Sequence, residues 1–224
     1  MKKLSALTAV VTFLCFALAS VPAAVGKSNG QFPAGKFKAK PFEFVGTAAE
    51  CAPAPAGTDT VTADWVTHQG LPDAGNSNHA LFLEKLGATS NCAAAGAVID
   101  GVGAITLTEL GFDVSNDGHC GAGAPRFNVT TTGGFLYFFG CSSGVHTPAP
   151  DDPVNWTRVR FTDADAFPQL ATNPPWPGFG SAVVQSIAII FDEGTDTGPD
   201  FTGHVFLDNI DINGVLMGKP GNAK

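Results

Sequence analysis

The feature that most restricts how this chain of 224 residues folds is a series of short runs with a period of two. In residues 126–131, Phe127 and Val129 fall on one face of an extended segment, and polar residues fall on the other. No segment sustains a helical period, and the one candidate, 163–170, is interrupted by Pro168. The pattern is that of strands with one buried face.

Nine such runs are separated by turn residues, which are plentiful because the chain holds 27 glycines and 16 prolines. The predicted strands are 42–46, 60–67, 79–86, 104–115, 126–131, 135–139, 156–162, 182–192 and 204–212. Many short strands without helices favour an all-β fold, a two-sheet antiparallel β-sandwich of the jelly-roll type.

The first residues have the parts of a secretory signal peptide. Lys2 and Lys3 precede an uncharged apolar run, Leu4–Ala19, and small residues around Ala23 suit cleavage. A membrane anchor is the alternative, but the run is shorter than the ~20 residues of a spanning helix, and Pro22 ends it. We expect residues 1–23 to be removed and the mature protein to be extracellular or periplasmic, with no membrane span.

The composition of residues 24–224 predicts three segments. Residues 24–41 are rich in Gly, Lys and Ala and predict a flexible basic leader. Residues 42–217 form the predicted sandwich domain, and residues 218–224 a disordered tail.

Charge restricts the partners. All 20 acidic residues follow Lys40 and outnumber the basic residues of that region, so the domain repels phosphate backbones. Nucleic acid is therefore not an expected partner. The acidity suits either solubility or divalent cations.

Export changes what the cysteines are expected to do. Loss of Cys15 leaves Cys51, Cys92, Cys120 and Cys141. Four cysteines in an oxidising compartment predict two disulfides, for which three pairings exist. Cys120 and Cys141 flank a predicted hairpin, so we expect Cys120–Cys141 together with Cys51–Cys92. The alternative is a zinc site made by Cys120, Cys141, His119 and His146, but the C-x-x-C spacing is absent.

Two runs near the C-terminus carry a family resemblance. The run from Val184 to Asp192 and the later Phe206-Leu-Asp-Asn-Ile210 resemble the last two strands of galactose-binding-like jelly rolls, a superfamily that includes many carbohydrate-binding modules. The resemblance covers roughly residues 42–217 and looks like a secreted bacterial branch of that superfamily. It implies a non-catalytic binding protein, with a carbohydrate as the expected ligand.

The same resemblance implies a structural calcium ion. Its closing-strand ligand corresponds to Asp208, and the first-strand partner would be Glu43 or Glu50. Separately, the acidic turn that contains Asp192 and Asp196 could supply oxygen ligands, although Asp and Gly are also common in solvated turns.

Candidate ligand-binding residues follow from the needs of sugar recognition. Trp176 and Phe179 occupy a proline-rich loop that would hold their rings stiffly. Polar contacts are expected from Arg126, Asn155 and Tyr137. The alternative for Trp176 is that its ring covers one end of the sandwich.

Two other functions remain open. One is a structural or adhesive protein that makes protein–protein contacts. The other is a secreted hydrolase, because Gly140–Gly144 matches G-x-S-x-G around Ser142. The residues after Ser142 are too rich in proline for the helix that a hydrolase elbow requires, so this reading ranks last.

Overall fold

Fourteen β-strands make up more than half of the residues that the structure describes. The computed structural model describes residues 37–47, 60–73, 77–86, 93–192 and 203–218. Its strands are β1 (Lys38–Val45), β2 (Thr60–Val66), β3 (Ala80–Leu86), β4 (Ala93–Asp100), β5 (Ile105–Thr106), β6 (Leu110–Ser115), β7 (Arg126–Thr131), β8 (Leu136–Gly140), β9 (Val145–Pro148), β10 (Trp156–Arg160), β11 (Phe167–Pro168), β12 (Val183–Phe191), β13 (Gly203–Ile212) and β14 (Val215–Met217). Short 3₁₀ turns occupy Cys141–Ser143 and Asp163–Asp165. Among the described residues no helix has the length and apolar character needed to cross a membrane.

The strands form two antiparallel sheets. The first sheet has the order β1-β4-β12-β7-β8-β11, with β5 beside β12. The second has the order β2-β3-β13-β6-β10-β9, with β14 beside β13. The predicted two-sheet antiparallel sandwich is confirmed.

Aromatic side chains from both sheets meet in the core. Phe112 of the second sheet lies 5.4 Å from Phe127 of the first, between ring centroids, and both side chains are fully buried. Phe161, just after β10, makes edge contacts with Phe112, Phe127 and Phe139. The period-two alternation of the sequence therefore builds the core directly.

Hydrogen bonds also join the two sheets. Trp65 Nε1 on β2 donates to the Ala39 carbonyl on β1 over 3.0 Å. Lys85 is completely buried on β3, and its Nζ donates to the Asp192 carbonyl over 3.0 Å. Directed bonds of this kind fix one alignment of the sheets, which apolar packing alone does less strictly.

A β-bulge interrupts the pairing of β13 with β6 between Asp208 and Asp211. Asn209 within it has φ +44°, in the left-handed region that Asn tolerates better than most residues. One extra residue on β13 lets Asp208, Asn209 and Asp211 all serve the outer face of the second sheet.

The structure corrects several strand predictions. It holds fourteen strands in its described part instead of about nine, and β1 begins at Lys38, inside the predicted leader. The predicted run 104–115 is divided into β5 and β6, and β9, β11 and β14 were not predicted. β7 matches its predicted bounds.

Strand β4 was missed because its sequence, AAAGAVID, is poor in the branched and aromatic residues typical of strands. It is nevertheless a central strand between β1 and β12. A Cβ on Gly96 would lie 2.6 Å from Phe42 Cζ and 2.5 Å from the Ile189 carbonyl oxygen. The small residue is needed because the Phe42 ring lies across the strand.

The sheet edges carry residues that discourage further pairing. β1 ends the first sheet and presents exposed Lys38 and Lys40, and Lys40 pairs with Asp100. β9 ends the second sheet and closes with Pro148, which has no N–H to donate.

The predicted Cys120–Cys141 disulfide is confirmed. It joins the segment before β7 to the residue after β8, so it closes the β7–β8 hairpin at its open end. Cys51 and Cys92 lie outside the described residues.

Removal of this disulfide should destabilise the domain. The double variant Cys120→Ala/Cys141→Ala is expected to lose roughly 2–4 kcal/mol of unfolding free energy, because the cross-link limits the unfolded chain. Urea denaturation followed by tryptophan fluorescence measures the loss. Ser142→Ala, an exposed change in the same turn, should leave the midpoint in place. Equal midpoints for all three proteins would show that the bond contributes nothing.

Candidate functional site

A groove crosses the outer face of the second sheet. Its floor includes Phe82 on β3 and Phe206 on β13, which face each other in register with ring centroids 4.9 Å apart. Both side chains are half-buried. His204 extends the row, with its ring 6.0 Å from that of Phe206. Half-buried aromatic rings on a sheet face provide a rigid apolar floor for a ligand.

Two open hollows meet at Gln69 and Phe206, which line both. The larger hollow, of about 520 Å³, is lined by Trp65, Val66, Thr67, Gln69, Phe82 and Phe206. The other, of about 410 Å³, is lined by Gln69, Ser115, Asn116, Asp117, Asn155, Trp156 and Phe206. The groove is therefore aromatic toward β2 and β3 and polar toward β10.

The loop between β2 and β3 forms one wall. Leu71 of this loop packs with Ala80, Ala149 and Trp156 in a small apolar cluster, against which Phe206 also lies. Because Trp156 pairs with Ser115, it faces outward, and the cluster is a second, minor core on the outer face. Burial of these apolar groups holds the loop over the sheet.

The polar wall is fixed by local hydrogen bonds. Asn155 Nδ2 donates to Asp152 Oδ2 over 2.9 Å, and the backbone N–H groups of Val154 and Asn155 donate to Asp152 Oδ1. Hydrogen bonding from the Asn155 side chain, above all, lowers the pKa of Asp152. Asn116 Nδ2 donates to the Val154 carbonyl over 2.9 Å, which ties the two sides of this wall together.

One hydroxyl of the polar hollow has no partner within the described residues. Ser115 Oγ is buried and makes no hydrogen bond there. Buried hydroxyls are nearly always hydrogen-bonded, so Ser115 is an exception among the described residues of this hollow.

A buried ion-pair network on the same face supports the groove. Arg158 on β10 donates from Nε and Nη2 to the two carboxylate oxygens of Asp113, each over 2.9 Å. Asn209 Nδ2 donates to Asp113 Oδ2 over 2.9 Å. Asp113 has no exposed surface, and its hydrogen bonds raise the pKa of Arg158. Every charge of this network has a partner, so the network stiffens the sheet.

A second carboxylate of the network sits at the far end of β13. Asp211 is 3% exposed, lies 3.2 Å from Arg160 Nη2 and accepts the Gly214 N–H over 2.8 Å. Burial raises the pKa of Asp211, although the charge of Arg160 opposes this. Ionised Asp211 is thus held at a cost to folding.

Trp176 and Phe179, the aromatic residues predicted to bind a ligand, do not line the groove and pack instead against β8. The Trp176 ring packs against Tyr137 at 5.1 Å and Phe139 at 5.3 Å, and its Nε1 donates to Asp163 Oδ1 over 3.1 Å. Phe179 also packs on Phe139, and its N–H donates to the same Asp163 oxygen. The two rings cover the core, which was the alternative considered for Trp176.

Tyr137 and Arg126 are likewise engaged in the structure. Tyr137 is buried with its hydroxyl donating to the Pro174 carbonyl over 2.9 Å, and burial raises its pKa. Arg126 belongs to the first sheet, makes two 2.7 Å bonds to Asp192 and lies over the Phe138 ring. Of the five predicted ligand residues, only Asn155 lines the groove.

Three of the predicted metal ligands lie in the described residues, and each has partners there. Asp208 accepts backbone N–H groups from Leu71 and Asn209. Asp192 is paired with Arg126, and Glu43 accepts the Ala63 N–H. Asp196 and Glu50 lie outside the described residues. Within the described ranges no group of three acidic side chains converges, and calcium binding at Asp208 stays a prediction.

The zinc and hydrolase alternatives both involve the region of the Cys120–Cys141 disulfide. The one cluster of three metal-ligating side chains in the described part is Cys120, Cys141 and His146, and both cysteines are oxidised. Strand β9 follows Ser142, where a hydrolase elbow requires a helix.

Sequence reasoning missed Phe82, Phe206 and Gln69. Alternation along β3 and β13 places Phe82 and Phe206 opposite the buried Leu81, Leu83, Val205 and Leu207, so an outward aromatic pair was visible in the pattern. Gln69 carried no signal, because its place depends on how the β2–β3 loop folds.

Comparisons with known proteins give similarity in fold. No protein-family profile and no curated protein sequence matches the chain. Among solved structures, the family 11 carbohydrate-binding module from Clostridium thermocellum in complex with a β-1,3-1,4-mixed-linked tetrasaccharide is 14% identical, with 82% of this chain and 99% of that chain covered at a TM-score of 0.46. The family 11 module of the cellulosomal cellulase Lic26A-Cel5E of Clostridium thermocellum is 12% identical, with 87% and 98% covered at a TM-score of 0.44.

Calcium binding by the acidic loop after Asp192 stays a prediction, since residues 193–202 lie outside the described ranges. A calcium ion bound there would stabilise the folded state, so EGTA is expected to lower the Tm of calcium-treated protein. Differential scanning calorimetry with and without EGTA measures this, with magnesium as the control ion. A Tm that EGTA leaves unchanged contradicts the prediction.

The buried carboxylate Asp211 predicts a specific pH dependence. Its folded pKa is raised above the ordinary value of 3.8, so the folded state keeps the proton that the unfolded state loses, and stability falls as pH rises through that interval. Asp211→Asn should remove this fall, so the Tm difference between variant and wild type should become more favourable to the variant as pH rises from about 3 to about 7.

Asp152→Asn is the matched control of opposite sign. The pKa of Asp152 is lowered, so its carboxylate stabilises the fold above pH 3.8, and that contribution is lost as pH falls through its folded pKa. The Asp152 variant should therefore become relatively less stable as pH rises. Two variants that follow the wild-type profile in parallel would contradict both assignments.

Proposed function

We propose that this protein is an exported, non-catalytic binding protein that takes a carbohydrate in the groove of the second sheet. The observation that carries the proposal is the Phe82–Phe206 aromatic pair lying open beside the amides of Gln69, Asn116 and Asn155. Pyranose rings present apolar C–H faces and a rim of hydroxyls. Apolar floors with a few fixed polar groups are what such ligands require.

The polar groups suit hydroxyl recognition. Amides and carboxylates both accept hydrogen bonds, and amides can also donate. The groups are held in place before a ligand arrives, because Asn155 is tied to Asp152 and Asn116 to the Val154 carbonyl. Preorganised groups lose less conformational entropy on binding.

The shape of the groove favours a polymer over a small metabolite. Both hollows are open to solvent along the sheet face and share Phe206 as a common floor residue. A chain can lie along such a surface without being enclosed. Export of the domain would place it where polysaccharides occur.

A non-catalytic role fits the lining of the groove. Among the described residues that line the two hollows, Asp117 is the single carboxylate. Glycoside hydrolysis ordinarily needs two carboxyl groups on either side of the scissile bond. Of the buried acidic residues of this face, Asp113 and Asp211 are held in ion pairs, and Asp208 accepts backbone N–H groups.

A glycan array probed with the mature domain tests the proposal, followed by calorimetric titration with the best glycan. Phe206→Ala removes the shared floor and is expected to weaken binding roughly tenfold or more. Phe167→Ala is the control, because this 67% exposed ring belongs to β11 of the first sheet. Retention of full affinity by Phe206→Ala would place the site elsewhere. Failure to bind any glycan would reject carbohydrate binding and favour a role in protein contacts.

A further inference from the structure

The β2–β3 loop that carries Gln69 is a long connection whose position over the groove has to be fixed. Its two arms are joined by backbone bonds, with Gly70 N–H donating to the Asn78 carbonyl over 2.8 Å and His68 N–H to the Ser77 carbonyl over 2.9 Å. These bonds define the hairpin but do not attach it to the sheet below. Gly70 is required, because a Cβ there would lie 2.2 Å from the His79 carbonyl oxygen.

A hydrogen bond to a buried carboxylate attaches this loop to β13. Leu71 N–H donates to Asp208 Oδ2 over 2.8 Å, across 137 positions of sequence. Asp208 Oδ1 accepts the N–H of Asn209 over 2.7 Å. Asp208 has no exposed surface, so the bond to Leu71 is shielded from water. A buried charge-assisted bond of this kind is stronger than a neutral one and strict in direction.

The bulge in β13 explains why the carboxylate is available. Asp208 lies opposite Asp113 in the strand pairing. The side chain that bonds Asp113, however, is that of Asn209 in the bulge. Asn209 therefore serves the Arg158 pair, which leaves the Asp208 carboxylate to reach the loop.

We propose that Asp208 is a positioning residue of the groove, which holds Gln69 between the two hollows through its bond to the Leu71 N–H. This inference rests on the proposed carbohydrate site. Apolar packing of Leu71 attracts the loop to the sheet, but it does not set the loop's register. The Asp208 bond does, because moving the loop along the sheet would leave the Leu71 N–H and the carboxylate buried without each other.

A double-mutant cycle tests this role. Asp208→Asn removes one acceptor and the charge, and is expected to weaken glycan binding roughly tenfold. Gln69→Ala should weaken binding by itself. If Asp208 acts through Gln69, Asp208→Asn causes little further loss in the Gln69→Ala background. A merely structural role would give the same fold loss in both backgrounds and would overturn the proposal.

Asp163→Asn is the matched control, since Asp163 also accepts a backbone N–H, that of Phe179, but does not line the groove. It should leave affinity within about twofold of wild type in either background. Tm values of all variants show that binding is measured on folded protein.

Hydrogen exchange gives a readout that does not depend on the glycan or on a variant that folds poorly. The Leu71 amide of the wild-type protein should be protected, and Asp208→Asn, where folded, should speed its exchange while Asp163→Asn does not. Rapid exchange of this amide in the wild type would overturn the proposal. Protection with no glycan binding by the wild type would instead reject the carbohydrate function and leave Asp208 as the anchor of the loop.

Discussion

The bulge in β13 is the feature on which the outer face of the second sheet depends. The bulge adds one residue opposite β6, so three side chains of one strand act on the same face. Asp208 bonds to the loop, Asn209 bonds to Asp113, and Asp211 pairs with Arg160. Without the bulge, strict alternation would turn one of these side chains into the apolar core. The left-handed backbone at Asn209 is the local cost of this arrangement, and an Asn bears it more easily than a branched residue.

The buried carboxylates of this face are paired with groups of the protein itself. Although the chain carries a net charge of −8, the carboxylates nearest the groove floor are matched by Arg158 and Arg160 or by backbone N–H groups. The groove is therefore lined mainly by neutral polar and aromatic side chains, and the network beneath them is a rigid support. A surface of this kind discriminates by shape and hydrogen bonding more than by attraction of charge.

The sequence predicted the fold well because alternation reports burial directly. Arg126–Thr131 came out as a strand with the predicted bounds, and the Cys120–Cys141 pairing followed from the hairpin between them. β4 was hidden because its small residues lack the usual strand signal, and the need for Gly96 arises from the Phe42 ring of a neighbouring strand. The site was harder to predict, because the inward packing of Trp176 goes with a bond from its Nε1 to Asp163, and the loop that carries Gln69 bonds to Asp208, far along the chain. Long-range pairings of this kind leave no local pattern in a sequence.

The edge strands described above have a consequence for assembly. Lys38 and Lys40 on β1 and Pro148 on β9 make these two edge strands poor templates for another strand. Strand addition, in which an extended chain pairs with a sheet edge, is therefore disfavoured at these two margins. A molecule that meets β1 or β9 does so through side chains, and the opposite edges, β11 and β2, are the margins left for pairing.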